Sequence, residues 1–388
     1  MGLFADIKIY QPKGYSSFAT SCGIKDETLD LGIIISDVAS NAVAVFTQNQ
    51  FPGEPVKIGK EHVRKGQIRA VVVNSKNANV GTGKQGYANS MKICKTLAKQ
   101  INCEVEKIFP SSTGVIARQL PVDKVTFAIG EMASSIKSPA NFEEFAKAIM
   151  TTDTVPKLAS AKVGEASIVA VAKGSGMIEP NMATMLSYIF TDAKINREEL
   201  GYIFRRCVNK TFNCLSIDTD TSTSDTALIM ANGLAGEVNL VEFENSLLDC
   251  MELLTRKLAR DGEGATKLFI VDVENAHNEE QAQTVAKLII NSPLVKTSIY
   301  QGDPNWGRII MATGKNENIK IDPNNLEILW GEPAKKYSND ELDSLQEYLR
   351  QNEQINLTVK LNVGEARSRA YGCDLTEEYV KINAYYTT

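Results

Sequence analysis

Two histidines are all that this 388-residue chain offers for imidazole chemistry, and this restricts how it can activate a nucleophile. His62 lies in the charged string KEHVRKG and His277 in ENAHNEE, and both strings are typical of solvated loops or helix ends. A Ser-His-Asp triad or a histidine-based metal site is therefore not expected. If the chain uses a hydroxyl nucleophile, a base other than imidazole must accept its proton.

A candidate hydroxyl stands in residues 173–186, KGSGMIEPNMATML. Two glycines and a proline predict an irregular turn, and Ala183 and Thr184 then open an apolar strand. A second turn, FPSSTGVIARQLP at 109–121, carries Ser-Thr-Gly. Taken alone, each segment is most simply a loop whose hydroxyl is hydrogen-bonded locally.

Acidic residues at short spacing raise the alternative of a metal loop. Asp218, Asp220 and Asp225 lie within FNCLSIDTDTSTSDT, and recurring carboxylates suit calcium or magnesium. The spacing is not that of an EF-hand, and the serines and threonines between them fit a hydrogen-bonded turn at least as well. We expect no metal here.

Composition narrows the class of partner. The chain is 43% apolar and 23% charged with a net charge of -5, which excludes a disordered chain and argues against nucleic acid as the main partner. No apolar run approaches the roughly 20 residues of a membrane span, and the N-terminal residues do not resemble a signal peptide. Seven scattered cysteines without a C-x-x-C pair favour reduced, buried thiols. We expect a cytoplasmic protein that binds small molecules and no membrane.

The elements that must position these residues are mixed. Runs rich in β-branched residues predict strands, and apolar side chains spaced three and four apart predict helices. The predicted strands are 68–74, 166–172, 185–191, 226–231, 267–274 and 356–363, and the predicted helices are 87–101, 141–150, 197–208, 243–260 and 280–290. Short, fully apolar strands indicate an α/β fold whose sheets are covered on both faces. Periodicity does not choose between a doubly wound sheet and two stacked sheets.

Over nearly its whole length the sequence resembles the ornithine acetyltransferase family, the bifunctional glutamate N-acetyltransferases of arginine biosynthesis. The resemblance rests on the two turns above and on further blocks, NSKNANVGTGKQG, FNCLSIDTDTSTSDT, DGEGATK, QGDPNWGRIIMATG and KINAYYTT. It implies an αββα-layered sandwich like that of self-processing N-terminal-nucleophile enzymes. It also implies autocatalytic cleavage between Ala183 and Thr184, giving an α chain of 1–183 and a β chain of 184–388.

The implied chemistry suits a chain that is poor in histidine. Thr184 becomes both nucleophile and N-terminus, and its free α-amino group, with an ordinary pKa of about 7.7 to 8.0, serves as the base. Thr113 and Gly114 match the family's oxyanion hole, which stabilises the charge that develops on the acyl oxygen. The residues matching substrate contacts are Thr151 or Thr152, between which the resemblance does not choose, together with Lys173, Thr184, Glu263, Asn383 and Thr388.

The resemblance implies ping-pong acetyl transfer from N2-acetylornithine to glutamate, with no cofactor. It leaves acetyl-CoA open as a second donor and implies that α and β chains associate, in a higher hetero-oligomer. This chain departs from the family pattern at Lys76, Ala117 and Thr219, where glycine is usual, and at Ser224, where asparagine is usual. Ala117 would be strained if its backbone needs a positive φ.

Three alternatives stay open. One is a self-cleaving aminopeptidase-like hydrolase, in which water takes the acyl group. The other two follow from these departures: a paralogue with another acyl acceptor, and an uncleaved, inactive ligand-binding relative.

Overall fold

Residues 3–5, 7–179 and 185–385, which this computed structural model describes, form twelve strands and eleven α-helices. The strands are β1 (Tyr15–Thr20), β2 (Leu31–Phe46), β3 (Gln67–Asn74), β4 (Ile108–Ser112), β5 (Lys157–Val163), β6 (Ala166–Lys173), β7 (Leu186–Lys194), β8 (Thr226–Glu237), β9 (Leu268–Ala276), β10 (Glu327–Trp330), β11 (Gln354–Lys360) and β12 (Ala366–Cys373). The helices are α1 (Glu54–Arg64), α2 (Gly83–Gln100), α3 (Val122–Gly130), α4 (Phe142–Ala148), α5 (Arg197–Lys210), α6 (Leu240–Arg260), α7 (Glu279–Ile290), α8 (Pro293–Gln301), α9 (Trp306–Gly314), α10 (Leu342–Gln351) and α11 (Glu377–Tyr385).

The strongest sequence patterns correspond to elements of the structure. The six predicted strands overlap β3, β6, β7, β8, β9 and β11, and the five predicted helices overlap α2, α4, α5, α6 and α7. In α6 the apolar residues at three- and four-residue spacing are fully buried, from Phe243 through Leu258. The Asn239 side chain begins this helix by accepting hydrogen bonds from the N–H groups of Val241 and Glu242.

The larger sheet has the strand order β4-β3-β2-β8-β7-β6-β5, with β1 paired to β2. Strand β2 joins its two halves, because its first residues pair with β1 and β3 and its last residues pair with β8. The β2–β3 register shifts between Ile35 and Ser40. In a flat sheet β4 and β7 would stand about 19 Å apart, at the usual strand spacing. Ser111 of β4 nevertheless lies beside the Tyr188 hydroxyl of β7, so the two halves of the sheet face each other.

An apolar core fills the space between the two halves. It contains Val71 and Phe109 from one half and Phe190 and Leu228 from the other. On the outer faces, α1, α2 and α3 cover β2, β3 and β4, whereas α5 and α6 cover β5 to β8. The arrangement is therefore the αββα-layered sandwich, as predicted.

A second sheet, of order β10-β11-β9-β12, lies beside this sandwich and is covered by α7 to α10. Helix α6 packs on β5 and β6 and also on β9 and β12, so it joins the two sheets. The C-terminal end of α6 leads directly into Gly262-Glu263-Gly264, one of the segments that the sequence singles out.

The prediction that His62 lies in a solvated setting is wrong. His62 is 4% exposed in the last turn of α1, and its Nδ1 lies 2.6 Å from the carbonyl oxygen of Ile108. Helix α1 packs on β4, so a residue within a charged string faces the core. His277 is exposed, as predicted.

The seven cysteines are free thiols, five of them buried and two partly buried. Burial raises the pKa of Cys94 and Cys250 to about 12, as is typical of packed, unreactive thiols. Within the described ranges, no helix combines the length and apolarity that crossing a bilayer requires.

Candidate active site

The predicted cleavage site meets the start of β7. Ala183 and Thr184, and likewise Thr388, lie outside the described residues, and the chain resumes at Met185. Met185 is buried, and its carbonyl accepts a hydrogen bond from the N–H of Thr226 at 2.9 Å. Leu186 pairs with Lys173 of β6 on one side and Thr226 of β8 on the other. The first residue of β7 is thus held between two strands.

The backbone ahead of the predicted cleavage site is held by Asp218. Its carboxylate accepts the N–H groups of Met177 and Ile178, each at 2.7 Å, and Met177 has a φ of +56°. Burial raises the pKa of Asp218, although these N–H donors oppose the shift. Asp218 therefore works as a turn acceptor. Among the described residues no group of three His, Cys, Asp or Glu side chains is arranged to hold a metal ion.

Lys173 ends β6 with its ammonium partly buried. Its Nζ donates to the Thr151 hydroxyl at 3.5 Å, so Thr151 is the one of the two candidate threonines that contacts it; Thr152 is the next residue of the same turn. Burial lowers the pKa of Lys173, and the negative charges of Asp153, Asp225 and Glu263 oppose that shift. The Lys173 ammonium therefore lies in the field of three carboxylates.

A buried ion cluster underlies this cation. Lys157 is fully buried, and its Nζ donates to Asp153 Oδ1 and to Asp261 Oδ2, both at 2.6 Å. Burial alone would raise the pKa of Asp153, but Lys157, Lys173 and the Gly174 N–H outweigh it and lower that pKa to about 2. Sequence reasoning missed this cluster, since Asp153 and Asp261 border candidate segments but nothing marks Lys157 as buried.

Glu263 is buried rather than solvated. It is 8% exposed, its N–H donates to the Ser175 carbonyl at 2.8 Å, and its carboxylate lies against Gly176. A Cβ on Gly176 would come within 2.4 Å of the Glu263 carboxylate, so this approach requires glycine. Asn383 of α11 donates through Nδ2 to Glu263 Oε2 at 2.8 Å. Two predicted site residues 120 positions apart thus contact each other.

Thr113 and Gly114 follow the end of β4. Thr113 is buried, and its N–H donates to the Asn74 carbonyl at 3.0 Å. Gly114 has a φ of +126°, and a Cβ there would lie 2.3 Å from the carbonyl carbon of Lys76. Only glycine fits this close approach of two loops. The Thr113 hydroxyl and the Gly114 turn are therefore held at the end of β4.

These residues lie at one end of the sandwich. Thr151 contacts Lys173 and Asn383 contacts Glu263, and the Glu263 carboxylate is near enough for its charge to act on Lys173. Ser75, next to the Asn74 that accepts from Thr113, donates through its hydroxyl at 2.9 Å to the carbonyl of Ala148, the last residue of the helix that precedes Thr151. Among the hydrogen bonds of the described residues, none joins Thr113 or Gly114 directly to Lys173 or Glu263.

Three of the four departures from the family pattern lie at left-handed backbone positions. Lys76, Ala117 and Thr219 have φ values of +69°, +59° and +70°, so the expectation of strain at Ala117 is confirmed. Lys76 offsets its strain in part, since its ammonium pairs with Asp26 and donates to the Thr28 carbonyl at 3.0 Å. Ser224 has no positive φ and is buried.

The protein is thus a layered α/β protein in which an ammonium and a carboxylate lie near the end of one strand, an arrangement that suits a small charged ligand. Comparison with known proteins makes the assignment specific. The ArgJ family matches residues 16–388. The chain is 46% identical to arginine biosynthesis bifunctional protein ArgJ 2 of Clostridium acetobutylicum, over 97% of this chain and 98% of that protein.

It is 42% identical to glutamate N-acetyltransferase Oat2 of Streptomyces clavuligerus, over 97% and 98% of the two chains. A solved arginine biosynthesis bifunctional protein from Bacillus halodurans is 37% identical, with a TM-score of 0.48, and the match covers 50% of this chain and 96% of that one. The chain belongs to the ArgJ family, an acyltransferase family of arginine biosynthesis, which confirms the resemblance seen in the sequence.

Proposed function

We propose that this chain moves an acetyl group from N2-acetylornithine to glutamate, giving ornithine and N-acetylglutamate, with Thr184 as the acetyl carrier. The observation that carries the proposal is the Lys173 ammonium, which lies in the field of the Asn383-bonded Glu263 carboxylate beside the start of β7, in a member of the ArgJ family. Ornithine is an α-amino acid with a cationic side chain. Its carboxylate suits the Lys173 ammonium, and its ammonium suits the Glu263 carboxylate.

We also propose that the chain cleaves itself between Ala183 and Thr184, into an α chain of 1–183 and a β chain of 184–388. Lys173, which would belong to the α chain, pairs with Leu186, which would belong to the β chain. Thr113, Gly114, Thr151 and Thr152 would also lie in the α chain, whereas Glu263, Asn383 and Thr388 would lie in the β chain. Neither product would then hold a complete site, so the two chains work only together.

The proposed reaction has two half-reactions. The Thr184 hydroxyl attacks the acetyl carbonyl of N2-acetylornithine while its own α-amino group accepts the proton. Thr113 and Gly114 stabilise the oxyanion, a contribution worth a few kcal/mol per donor. The carbon–nitrogen bond then breaks, and ornithine leaves with that proton on its amine. In the second half-reaction the glutamate amine attacks the acetyl ester and gives up a proton to the Thr184 α-amino group, which passes it to the Thr184 oxygen as the ester carbon–oxygen bond breaks and N-acetylglutamate departs.

The remaining substrate contacts follow from position. The Thr151 hydroxyl lies beside Lys173 and Thr152 is the next residue, and Asn383 donates to the Glu263 carboxylate. Thr388 follows α11, the helix that carries Asn383, and would add a contact from the same terminus. None of these roles requires a cofactor or a metal. Acetyl-CoA as a further donor, association of the α and β chains into a higher hetero-oligomer and a cytoplasmic location complete the proposal.

The test is an assay with isotopically labelled N2-acetylornithine and unlabelled glutamate. We expect labelled N-acetylglutamate and one equivalent of ornithine, and we expect Thr184→Ala to give neither. Labelled free acetate in place of N-acetylglutamate would mean that water is the acceptor and that the chain is a hydrolase. Absence of any reaction from a chain that stays whole on a denaturing gel would support the inactive ligand-binding alternative.

A further inference from the structure

We infer that Lys157 is a positioning residue, which keeps the Lys173 ammonium available for a substrate carboxylate by binding Asp153, a carboxylate that would otherwise pair with Lys173. The inference rests on the proposed function, because it assigns Lys173 to the ligand. Lys157 itself would not touch the substrate. It would act only through Asp153 and Asp261.

The geometry supports this division of charge. Lys157 donates to Asp153 Oδ1 and Asp261 Oδ2, both at 2.6 Å, and the three side chains are almost completely buried. Burial in a medium of low polarity makes an uncompensated carboxylate costly, so each carboxylate requires a cation nearby. Asp153 also feels the positive charge of Lys173. Two lysines therefore share Asp153, and Lys157 is the one that bonds to it.

The cluster also fixes the segments that carry the substrate contacts. Asp153 accepts the N–H of Gly174 at 2.6 Å and the N–H of Thr151 at 3.1 Å. The carbonyl of Asp261 accepts the Ser175 hydroxyl at 2.6 Å, and Ser175 in turn accepts the Glu263 N–H. The end of β6, the Thr151 turn and the Glu263 turn are thus tied to one buried cation.

The charges that face Lys173 define what happens when Lys157 is removed. They are the carboxylates of Asp153, Asp225 and Glu263 and the ammonium of Lys157. Burial lowers the pKa of Lys173, and Lys157 lowers it further by repulsion. Without Lys157 the repulsion disappears, and Asp153 is left with Lys173 as its cation. Lys173 then pairs with Asp153 and is withdrawn from the ligand.

Two double variants of equal net charge test this mechanism. Lys157→Met with Asp261→Asn leaves Asp153 to capture Lys173, whereas Lys157→Met with Asp153→Asn removes the competitor. We expect the first variant to raise the KM for N2-acetylornithine at least ten-fold, with kcat changed less than about three-fold. The second variant should have a KM at least five-fold below that of the first. In the first variant the alkaline limb of the kcat/KM profile should also move to higher pH.

Lys147→Met is the control for loss of a lysine, because Lys147 pairs with Glu143 at the same four-residue spacing but on the exposed surface. Its KM should not change. Equal KM values in the two double variants would overturn the inference, as would failure of both to fold, since the cluster would then serve the fold alone. A wild-type protein that transfers no acetyl group would instead refute the proposed function.

Discussion

At the scale of single residues, the site depends on close approaches that only small side chains permit. Gly176 lets the Glu263 carboxylate lie against the backbone, and Gly114 lets the turn after β4 contact the backbone of Lys76. The reactive side chains are ordinary in type. Their positions are set by neighbours that have no Cβ.

Removing the charge of Glu263 should weaken binding of the cationic substrate. A hydrogen bond to a charged group contributes about 1.5 to 3 kcal/mol, so we expect Glu263→Gln to raise the KM for N2-acetylornithine roughly 10- to 100-fold. Self-cleavage should be affected less, because the carboxylate is assigned to the substrate. Steady-state kinetics test this, with the exposed Glu237→Gln as the control. An unchanged KM in Glu263→Gln would remove it from the substrate contacts.

Displacing the same carboxylate without changing its charge should have a similar effect. A methyl group on Gly176 would come within 2.4 Å of Glu263, so we expect Gly176→Ala to raise the KM several-fold. Gly130→Ala is the matched control, since no atom lies within 4 Å of a Cβ at that position. The KM of Gly176→Ala should therefore exceed that of Gly130→Ala. If both variants behave like the wild type, the close approach of Gly176 and Glu263 has no functional role.

Backbone strain gives a prediction about stability. Ala117 has a φ of +59°, which costs an alanine about 1 kcal/mol relative to glycine. We expect Ala117→Gly to raise the free energy of unfolding by up to about 1 kcal/mol. The same change at the exposed, mid-helix Ala88 should lower it by about 1 kcal/mol. Urea unfolding measures both, and a loss of stability at Ala117 would contradict the argument.

At the scale of elements, the Asp153–Lys157–Asp261 cluster joins β5, the end of β6 and the end of α6. These three elements carry Lys173 and Glu263 on neighbouring segments. The side chains of the cluster are shielded from solvent. Its energetic contribution should therefore appear in stability as well as in ligand binding.

Lowering the pH should remove the contribution of Asp153 to the free energy of unfolding. The pKa of Asp153 falls from its ordinary value of 3.8 to about 2 in the folded protein. A carboxyl group with a lowered pKa stabilises the fold above the unfolded-state pKa and loses that contribution as pH falls from about 4 through 2, which amounts to about 2 kcal/mol. Urea unfolding of the wild type and Asp153→Asn between pH 5 and pH 2 tests the sign. The stability difference between them should shrink toward pH 2; a constant difference would contradict it.

The elements differ in how well their sequences predict them. Strands such as β6 and β8 and helices such as α6 follow from β-branched runs and helical spacing, because one local pattern decides them. Strand β2 was not predicted, since polar residues interrupt it where its register to β3 shifts. The charged string around His62 predicts a solvated setting, because the packing of α1 on β4 is a long-range contact that local charge does not reveal.

In the candidate site, too, some features follow from the sequence and others depend on contacts between distant residues. Family resemblance supplied Lys173, Glu263 and Asn383, and the structure brings them to one place. The contact of Lys173 with Thr151 spans 22 positions of the chain, and the ion pair of Lys157 with Asp261 spans 104. No local pattern marks such a pair before the chain is folded.

At the scale of the whole molecule, the sandwich allows two chains to share one site. Strands β6, β7 and β8 are neighbours in the sheet, so the proposed cut falls between two strands that remain paired along their length. Both proposed products contribute residues to the core between the two halves of the sheet. Cleavage can therefore free an N-terminus without separating the products.

The most direct test is the intact mass and N-terminal sequence of the purified protein, measured alongside acetyl transfer. We predict two chains, of 183 and 205 residues, the second beginning with Thr184, and a single inactive chain of 42.5 kDa for Thr184→Ala. An uncut 42.5 kDa chain that transfers acetyl from N2-acetylornithine to glutamate at full rate would contradict the account.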